Sequence, residues 1–413
     1  MMNKKNRAVG GAPIVESRKK SLGIYVHIPF CRSKCEYCDF YSIRGGRSKE
    51  LMDRYLGAVL AHIREAAPSA IGYEVDTVYF GGGTPSLLGE KRLREILKCI
   101  DKRYRVTKDA EITLEANPDS ATDRKALKRL RKAGFNRLSL GVQSMDDALL
   151  QTIGRIHTRQ QVQEAVAAAR KAGFKNLSLD LIYGLPGQTM EGWEKTLSDA
   201  VGLHPEHLSC YGLKLEEGTP LYRRQGELTF PDEDMQADMY LYAVEFLKQC
   251  GYEQYEISNF AKPGFASRHN LKYWLMQEYA GFGPGAHSDF GNVRYGYARD
   301  LERYLKGELV LQESETVDSD EREREYLMLR LRTVQGVDPR EFEYRFRQRF
   351  APLAALLQQC AREGLAEQDG NGWHLTAKGF LVSNRIIGLL QDELAREKNR
   401  RLEAAARGDY RVV

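Results

Sequence analysis

From residue 23 onward, short runs of β-branched and aromatic residues alternate with longer stretches in which Leu or Ala recurs at three- and four-residue spacing. The runs at 24–28, 77–80, 111–115, 137–142, 177–182 and 207–213 predict strands, and the stretches at 50–65, 90–101, 121–133, 160–172 and 191–203 predict the helices between them. Such alternation makes βαβ crossovers and hence a parallel sheet. Six units make about three quarters of an eight-fold barrel, in which chemistry sits at the C-terminal ends of the strands. The expected fold class is therefore α/β, a partial, TIM-like (β/α)6 barrel.

Beyond residue 307 the pattern changes to charged, helix-periodic sequence at 321–331, 339–347 and 352–363, followed by Gly372-Trp-His-Leu-Thr-Ala-Lys-Gly379. Helices followed by a short hairpin predict a smaller, mostly helical, winged-helix-like C-terminal domain. The expected division is a flexible tail over 1–20, the barrel over 21–240, a bridging segment over 241–307, the C-terminal domain over 308–390, and a frayed helix and tail over 391–413.

Length and charge narrow this further. A chain of 413 residues is long for one core, and 42% apolar with 29% charged residues excludes a disordered chain. An excess of +5 over 62 basic and 57 acidic residues gives no general affinity for nucleic acid. The densest basic run, 124–132, reads as the solvated face of a helix with Leu127 and Leu130 turned inward. Residues 1–20 carry no apolar leader core, and no stretch approaches the roughly eighteen apolar residues of a membrane span. No transmembrane segment is expected, and the location is read as cytoplasmic. Seven cysteines, an odd number, argue against a disulfide framework and for a reducing compartment; Cys99, Cys210, Cys250 and Cys360 are assigned to the core.

The other three cysteines carry the chemistry. Cys31-x3-Cys35-x2-Cys38 directly follows the first strand. A structural zinc site closes with four ligands, whereas an iron–sulfur cube held by three leaves one iron open. Zinc would need His27 or Asp39 as a fourth donor; three plain buried thiols would gain little packing in so polar a loop. The other strand ends bring further polar or glycine residues to the same rim: Gly81-Gly82-Gly83-Thr84, then Glu115, then Ser139, Gly141 and Gln143 at two-residue period, then Arg155 and His157, then Asp180. Singly, each has a structural reading: Arg155 as a surface cation, Asp180 as a satisfied buried carboxylate, Gln143 as a strand terminator. Together at one rim they predict a binding site.

These motifs resemble the radical S-adenosylmethionine (SAM) superfamily. More closely, Tyr25-x-His27-Ile-Pro-Phe-Cys31, Ser139-Leu-Gly-Val-Gln-Ser144, Gly154-Arg-x-His-Thr158 and Asp180-Leu-Ile-Tyr-Gly-Leu-Pro-Gly-Gln-Thr189 resemble the branch holding oxygen-independent coproporphyrinogen III oxidase and the heme chaperone HemW. The resemblance implies that Cys31, Cys35 and Cys38 ligate a [4Fe–4S] cluster, and that Tyr25, Tyr37, Gly83, Thr84, Glu115, Gln143, Arg155 and Asp180 line a SAM site. The oxidase-type motif has a further cysteine two residues after the third; this chain has Phe40 there, as the chaperone branch does. His269-Asn-Leu-Lys-Tyr-Trp274 resembles that branch's heme-binding segment, implying His269 as an axial ligand with Tyr273 and Trp274 as apolar surface, and His287 as the next candidate. The expected function is thus a heme chaperone that delivers heme to acceptor hemoproteins such as respiratory enzymes, with peripheral membrane association through those partners. The alternative is a coproporphyrinogen III oxidase. Reductive SAM cleavage and homodimerisation are left open by the sequence.

Overall fold

Lys20–Ile28 (β1), Tyr73–Gly82 (β2), Val106–Ala116 (β3), Arg137–Gln143 (β4), Leu177–Tyr183 (β5) and His207–Gly212 (β6) lie side by side, all parallel. This is the arrangement in a computed structural model that describes residues 20–45, 48–370 and 372–407. The crossovers carry Lys49–Ala66 (α1), Glu90–Arg103 (α2), Arg124–Ala133 (α3), Arg159–Ala172 (α4) and Met190–Gly202 (α5). Several strands start earlier than the hydrophobic pattern marks. In β3 the leading residues Lys108 and Asp109 are exposed and leave no apolar signal.

Local chemistry explains the helix starts. The Ser48 hydroxyl accepts from the Leu51 amide ahead of α1, Asp123 accepts from Lys125 and Ala126 ahead of α3, and Thr158 with Gln161 forms a reciprocal capping box on α4. Helix α3 buries Leu127 and Leu130 and exposes Arg124, Lys125, Lys128 and Arg129, so the basic run is a solvated helix face. Its Arg129 pairs with Glu90 of α2 at 2.8 Å.

The sheet is larger than six strands. After Glu233–Gln249 (α6) come two short strands, Glu253–Glu256 (β7) and Asn259–Ala261 (β8); β8 pairs antiparallel with β6, and β7 pairs antiparallel with β8 at the sheet edge. A short helix, Arg268–Trp274 (α7), leads to Tyr279–Phe282 (β9), which is parallel to β1 on the opposite side. His287–Phe290 (β10), Val293–Tyr297 (β11) and Leu311–Thr316 (β12) extend that edge antiparallel. Twelve strands therefore form one open sheet in the order β12-β11-β10-β9-β1-β2-β3-β4-β5-β6-β8-β7. The added strands are mostly three to six residues long and broken by glycine-rich turns, too brief for a period-two signal to register.

Two cores result. Leu22, Ile24, Val26, Phe80, Leu114, Leu140, Leu179 and Trp193 belong to the barrel core. The second is built from Ser319–Arg330 (α8), Pro339–Phe346 (α9), Ala351–Arg362 (α10), the hairpin of Ala366–Asp369 (β13) and Gly372–Leu375 (β14), and the long helix Ser383–Ala406 (α11). Tyr326, Phe342, Phe346, Trp373 and Phe380 pack there, and Tyr240 of α6 joins them from the barrel side. Helix α11 runs straight through residue 391, where fraying was expected, because Leu394 is buried and Lys398 pairs with Asp320 and Glu323 of α8. The expected N-terminal tail lies outside the described residues apart from Lys20, the first residue of β1. Cys99 and Cys210 are buried, while Cys250 and Cys360 are half-buried. Among the described residues no helix is long and apolar enough to cross a membrane.

Candidate functional site

At the C-terminal end of β1 the chain enters the cysteine loop, and the glycine turn after β2 is stitched to it. The Gly83 amide donates to the Ile28 carbonyl at 2.9 Å and the Thr84 amide to the Phe30 carbonyl at 2.8 Å. A Cβ on Gly83 would meet the Phe30 oxygen at 2.8 Å. Glycine is needed there because two backbones touch, in addition to any approach by a ligand. Gly82 holds φ +109 with its α-carbon against the His27 ring, so that a Cβ would lie 2.7 Å from it. Gly82→Ala is expected to destabilise the protein by about 2 kcal/mol or more, seen as a lowered urea midpoint.

His27 is held at both nitrogens, by the Tyr25 hydroxyl at 3.0 Å and the Tyr41 carbonyl at 2.9 Å. It has no lone pair to offer a zinc ion. Asp39 is exposed at the mouth. Among the described residues no three His, Cys, Asp or Glu side chains converge as a single metal ion requires.

A ring of hydrogen bonds links the loops. The Cys31 sulfur lies 3.7 Å from the Thr84 hydroxyl, which accepts from the Asn117 amide at 3.2 Å. Arg155 donates to Asn117 Oδ1 at 2.9 Å, to the Gly141 carbonyl, and through its other Nη to the Cys35 sulfur at 3.3 Å. Gln143 adopts a left-handed backbone, φ 65, at a register slip between β4 and β5, a strained conformation for a residue with a side chain.

The carboxylates differ in surroundings. Glu115 accepts from the Tyr79 hydroxyl at 2.6 Å, and burial pushes its pKa up to about 7. Asp180 accepts from the hydroxyls of Ser139, Ser178 and Ser209 at 2.7–3.2 Å. Tyr37 is half-buried beside Cys35, and desolvation raises its phenol pKa.

Most of these residues open onto one cavity of about 650 Å³, which also takes in the walls of the barrel below. Its lining includes Cys31, Cys35 and Cys38, and Tyr25, Tyr37, Gly83, Thr84, Glu115, Gln143, Arg155 and Asp180. His269 and Tyr273 line the deeper part. His269 is 1% exposed, and both its nitrogens are engaged: Nδ1 with the Thr77 hydroxyl at 2.8 Å, Nε2 with the Tyr273 hydroxyl at 2.9 Å. The ring nitrogen that axial ligation needs is thus occupied. Trp274 is outside the lining, beside Glu256, and His287 is 47% exposed on β10, 2.9 Å from Glu313.

Comparison with known proteins decides the family. The chain matches the radical SAM superfamily over residues 25–200 and the HemN C-terminal domain over 317–382. It is 36% identical to the heme chaperone HemW of Bacillus subtilis, covering 90% of this chain and 99% of the relative. The chain belongs to the HemW family. It is also 33% identical to the heme chaperone HemW of Escherichia coli over 90% and 98% of the two chains. Among solved structures, the radical SAM enzyme coproporphyrinogen III oxidase (HemN) of Escherichia coli superposes with a TM-score of 0.77 at 25% identity, covering 91% of each chain.

The superfamily implies a [4Fe–4S] cluster and SAM, and the donors of this HemW-family chain fit them. Burial raises the Cys31 and Cys38 thiols, Cys38 to about 11, so that without metal they hold their protons. A bound cluster's positive irons reverse that preference, and Arg155 already faces the Cys35 sulfur. Phe40 is 65% exposed on the cavity mouth, where it closes no ligand set. Asn117 went unnoticed in the sequence, although it shares the two-residue period with Glu115 and precedes Pro118. Arg137, His207 and Tyr255, also in the lining, carry no motif and are visible only once the strands are placed.

Proposed function

We propose that this protein is a cytoplasmic heme chaperone, one that binds heme and passes it to acceptor hemoproteins such as respiratory enzymes. What supports it most is agreement over 90% of the chain with relatives named for that role. In this reading Cys31, Cys35 and Cys38 hold the cluster. Tyr25, Tyr37, Gly83, Thr84, Glu115, Gln143, Arg155 and Asp180 surround SAM. Arg155 supplies a guanidinium for the SAM carboxylate, the glycine turn its carbonyls for the ammonium, and Glu115, Gln143 and Asp180 their polar groups for the ribose hydroxyls. When bound, the cluster would be able to supply an electron to SAM.

For heme, His269 is the ligand of choice once its bond to Tyr273 opens and frees Nε2. Burial lowers its pKa to about 3, so the imidazole stays neutral across the working pH range, as iron ligation requires. Tyr273 offers aromatic surface in the same chamber; Trp274 and His287 take part only if the chain moves.

Heme titration of the reconstituted protein tests this. A saturable Soret shift is expected, abolished by His269→Ala and strengthened several-fold by Tyr273→Phe, which removes the competing hydroxyl. No Soret shift in the wild type rejects heme binding, and unchanged binding in His269→Ala rejects the ligand.

The likeness to HemN favours a second reading, a coproporphyrinogen III oxidase. Phe40 at the mouth argues against it. Anaerobic turnover of coproporphyrinogen would overturn the chaperone-only assignment.

A further inference from the structure

Below the rim, the cavity holds a cationic fork with no acceptor in contact. Arg137 is the first residue of β4, two residues before Ser139, which stands opposite Glu115 in the sheet. That places it about 7 Å below the level of Glu115. It is 2% exposed, it lines the cavity, and its Nε has no hydrogen-bond partner. Among the described residues no contact ion pair links its guanidinium to a carboxylate, although Glu111 and Asp180 lie near enough to raise its pKa.

The surrounding groups are already committed. Glu111, the first charge felt by Arg137, accepts from the amides of Arg268 and His269 at 3.1 and 3.0 Å, so it serves the start of α7. Asp180 is held by three serine hydroxyls. His207 is bonded at Nδ1 to Ser178 and at Nε2 to Tyr255, each at 2.8 Å. Across the register from Arg137, the Thr113 hydroxyl is likewise buried without a partner.

Glu111 and Asp180 balance the charge of Arg137 from a distance and, with Tyr79 and Tyr255, hold its pKa above the ordinary value, but its fork meets no acceptor in contact, and the remedy for that unbonded buried donor is an acceptor that the fold does not contain. The geometry points to Arg137 as the anchor for a carboxylate of a porphyrin-class ligand seated in the lower chamber, with His269 and Tyr273 on the same walls. This rests on the heme reading above and adds the group that recognises the ligand's acid side chains. The planar fork of Arg suits a carboxylate, whereas an ester offers neither the charge nor two equivalent acceptors. The SAM carboxylate is a different anion, served near the cluster by Arg155.

The test compares heme with heme dimethyl ester on reconstituted wild-type, Arg137→Gln and Arg137→Lys proteins, with SAM binding measured in parallel. Wild type is expected to prefer the free acid. Arg137→Gln should weaken heme binding roughly ten- to a hundredfold and leave the ester and SAM unchanged, erasing the preference. Arg137→Lys should keep part of it, and it serves as the test if Arg137→Gln does not fold. Arg137→Gln loses only the longer-range pull of Glu111 and Asp180 and no contact ion pair, so the thermal midpoint of the ligand-free variant should fall only slightly. Equal heme affinity in Arg137→Gln and wild type, or a matching loss for the ester or SAM, overturns the assignment. A wild type that binds neither porphyrin overturns the heme reading itself, a separate result.

Discussion

Cys31→Ala, reconstituted anaerobically with iron and sulfide, is expected to lose the brown chromophore and retain little of the wild-type iron. Each of the three thiols would hold one iron of a cube, and no neighbouring donor can replace one of them. His27 is locked between Tyr25 and Tyr41. Asp39 is exposed in a loop fixed by hydrogen bonds from Glu36 to Ile153 and from Leu221 to Glu36. Cys35 and Cys38 variants should behave alike, because the amide of Cys38 donates to the Cys35 carbonyl and the loop acts as one unit. Asp39→Ala and Phe40→Ala should keep the chromophore. Iron and sulfide analysis with the visible spectrum decides the matter. A colourless wild type that takes up one zinc would refute the cluster, and Asp39→Ala losing the metal would make Asp39 the fourth ligand.

The sequence carried the rim of this site more fully than its floor, for a physical reason. Residues at strand ends meet backbone demands that leave marks in the chain: Gly82 by its positive φ, Gly83 by contact with Phe30, Pro118 by ending β3. Cys31, Cys35 and Cys38 sit close in sequence because one loop must wrap one face of a cluster. Arg137, His207 and Tyr255 come from three strands far apart in the chain and meet only across the sheet, so no spacing announces them. The flanking strands were missed for a related reason. The pairing of β9 with β1 joins residues some 250 positions apart, and four residues are too few to show a period. His269 was picked out by its motif, but its two hydrogen bonds, to Thr77 on β2 and to Tyr273 one helical turn on, depend on where α7 docks. The C-terminal helices were legible from periodicity alone. The length of α11 was not, since it depends on Lys398 reaching Glu323 in another helix.

Acidification should destabilise this protein before its surface carboxylates are protonated. Five buried histidines have pKa values lowered from 6.5 chiefly by burial: His27 and His62 to about 4, His157 and His269 to about 3, and His207 well below its ordinary value. The folded value lies below the unfolded one, so unfolding takes up protons. Stability is fully present above about pH 6.5 and is lost as the pH falls from there toward 3–4. At pH 5 each such histidine costs about 2 kcal/mol relative to neutral pH. Glu115 acts in the opposite direction, since its raised pKa makes neutral pH the costly side, returning about 2 kcal/mol on acidification to pH 5. Burial raises Glu256 and Glu323 as well, and they act with Glu115, but the five histidines outweigh these carboxylates and the net change on acidification is a loss. Urea unfolding at pH 7.5, 6 and 5 should therefore show a steep fall in midpoint. His62 gives the cleanest control because it is remote from the cavity, packed against Phe282 and Tyr297 with Nδ1 on the Tyr304 hydroxyl at 3.1 Å. His62→Gln should lower stability at pH 7.5 yet flatten the pH slope by about one proton between pH 5 and 6. A midpoint that stays level from pH 7.5 to 5 would mean these imidazoles are hydrated or charged in the folded chain, and would remove the basis for a neutral His269 as an iron ligand.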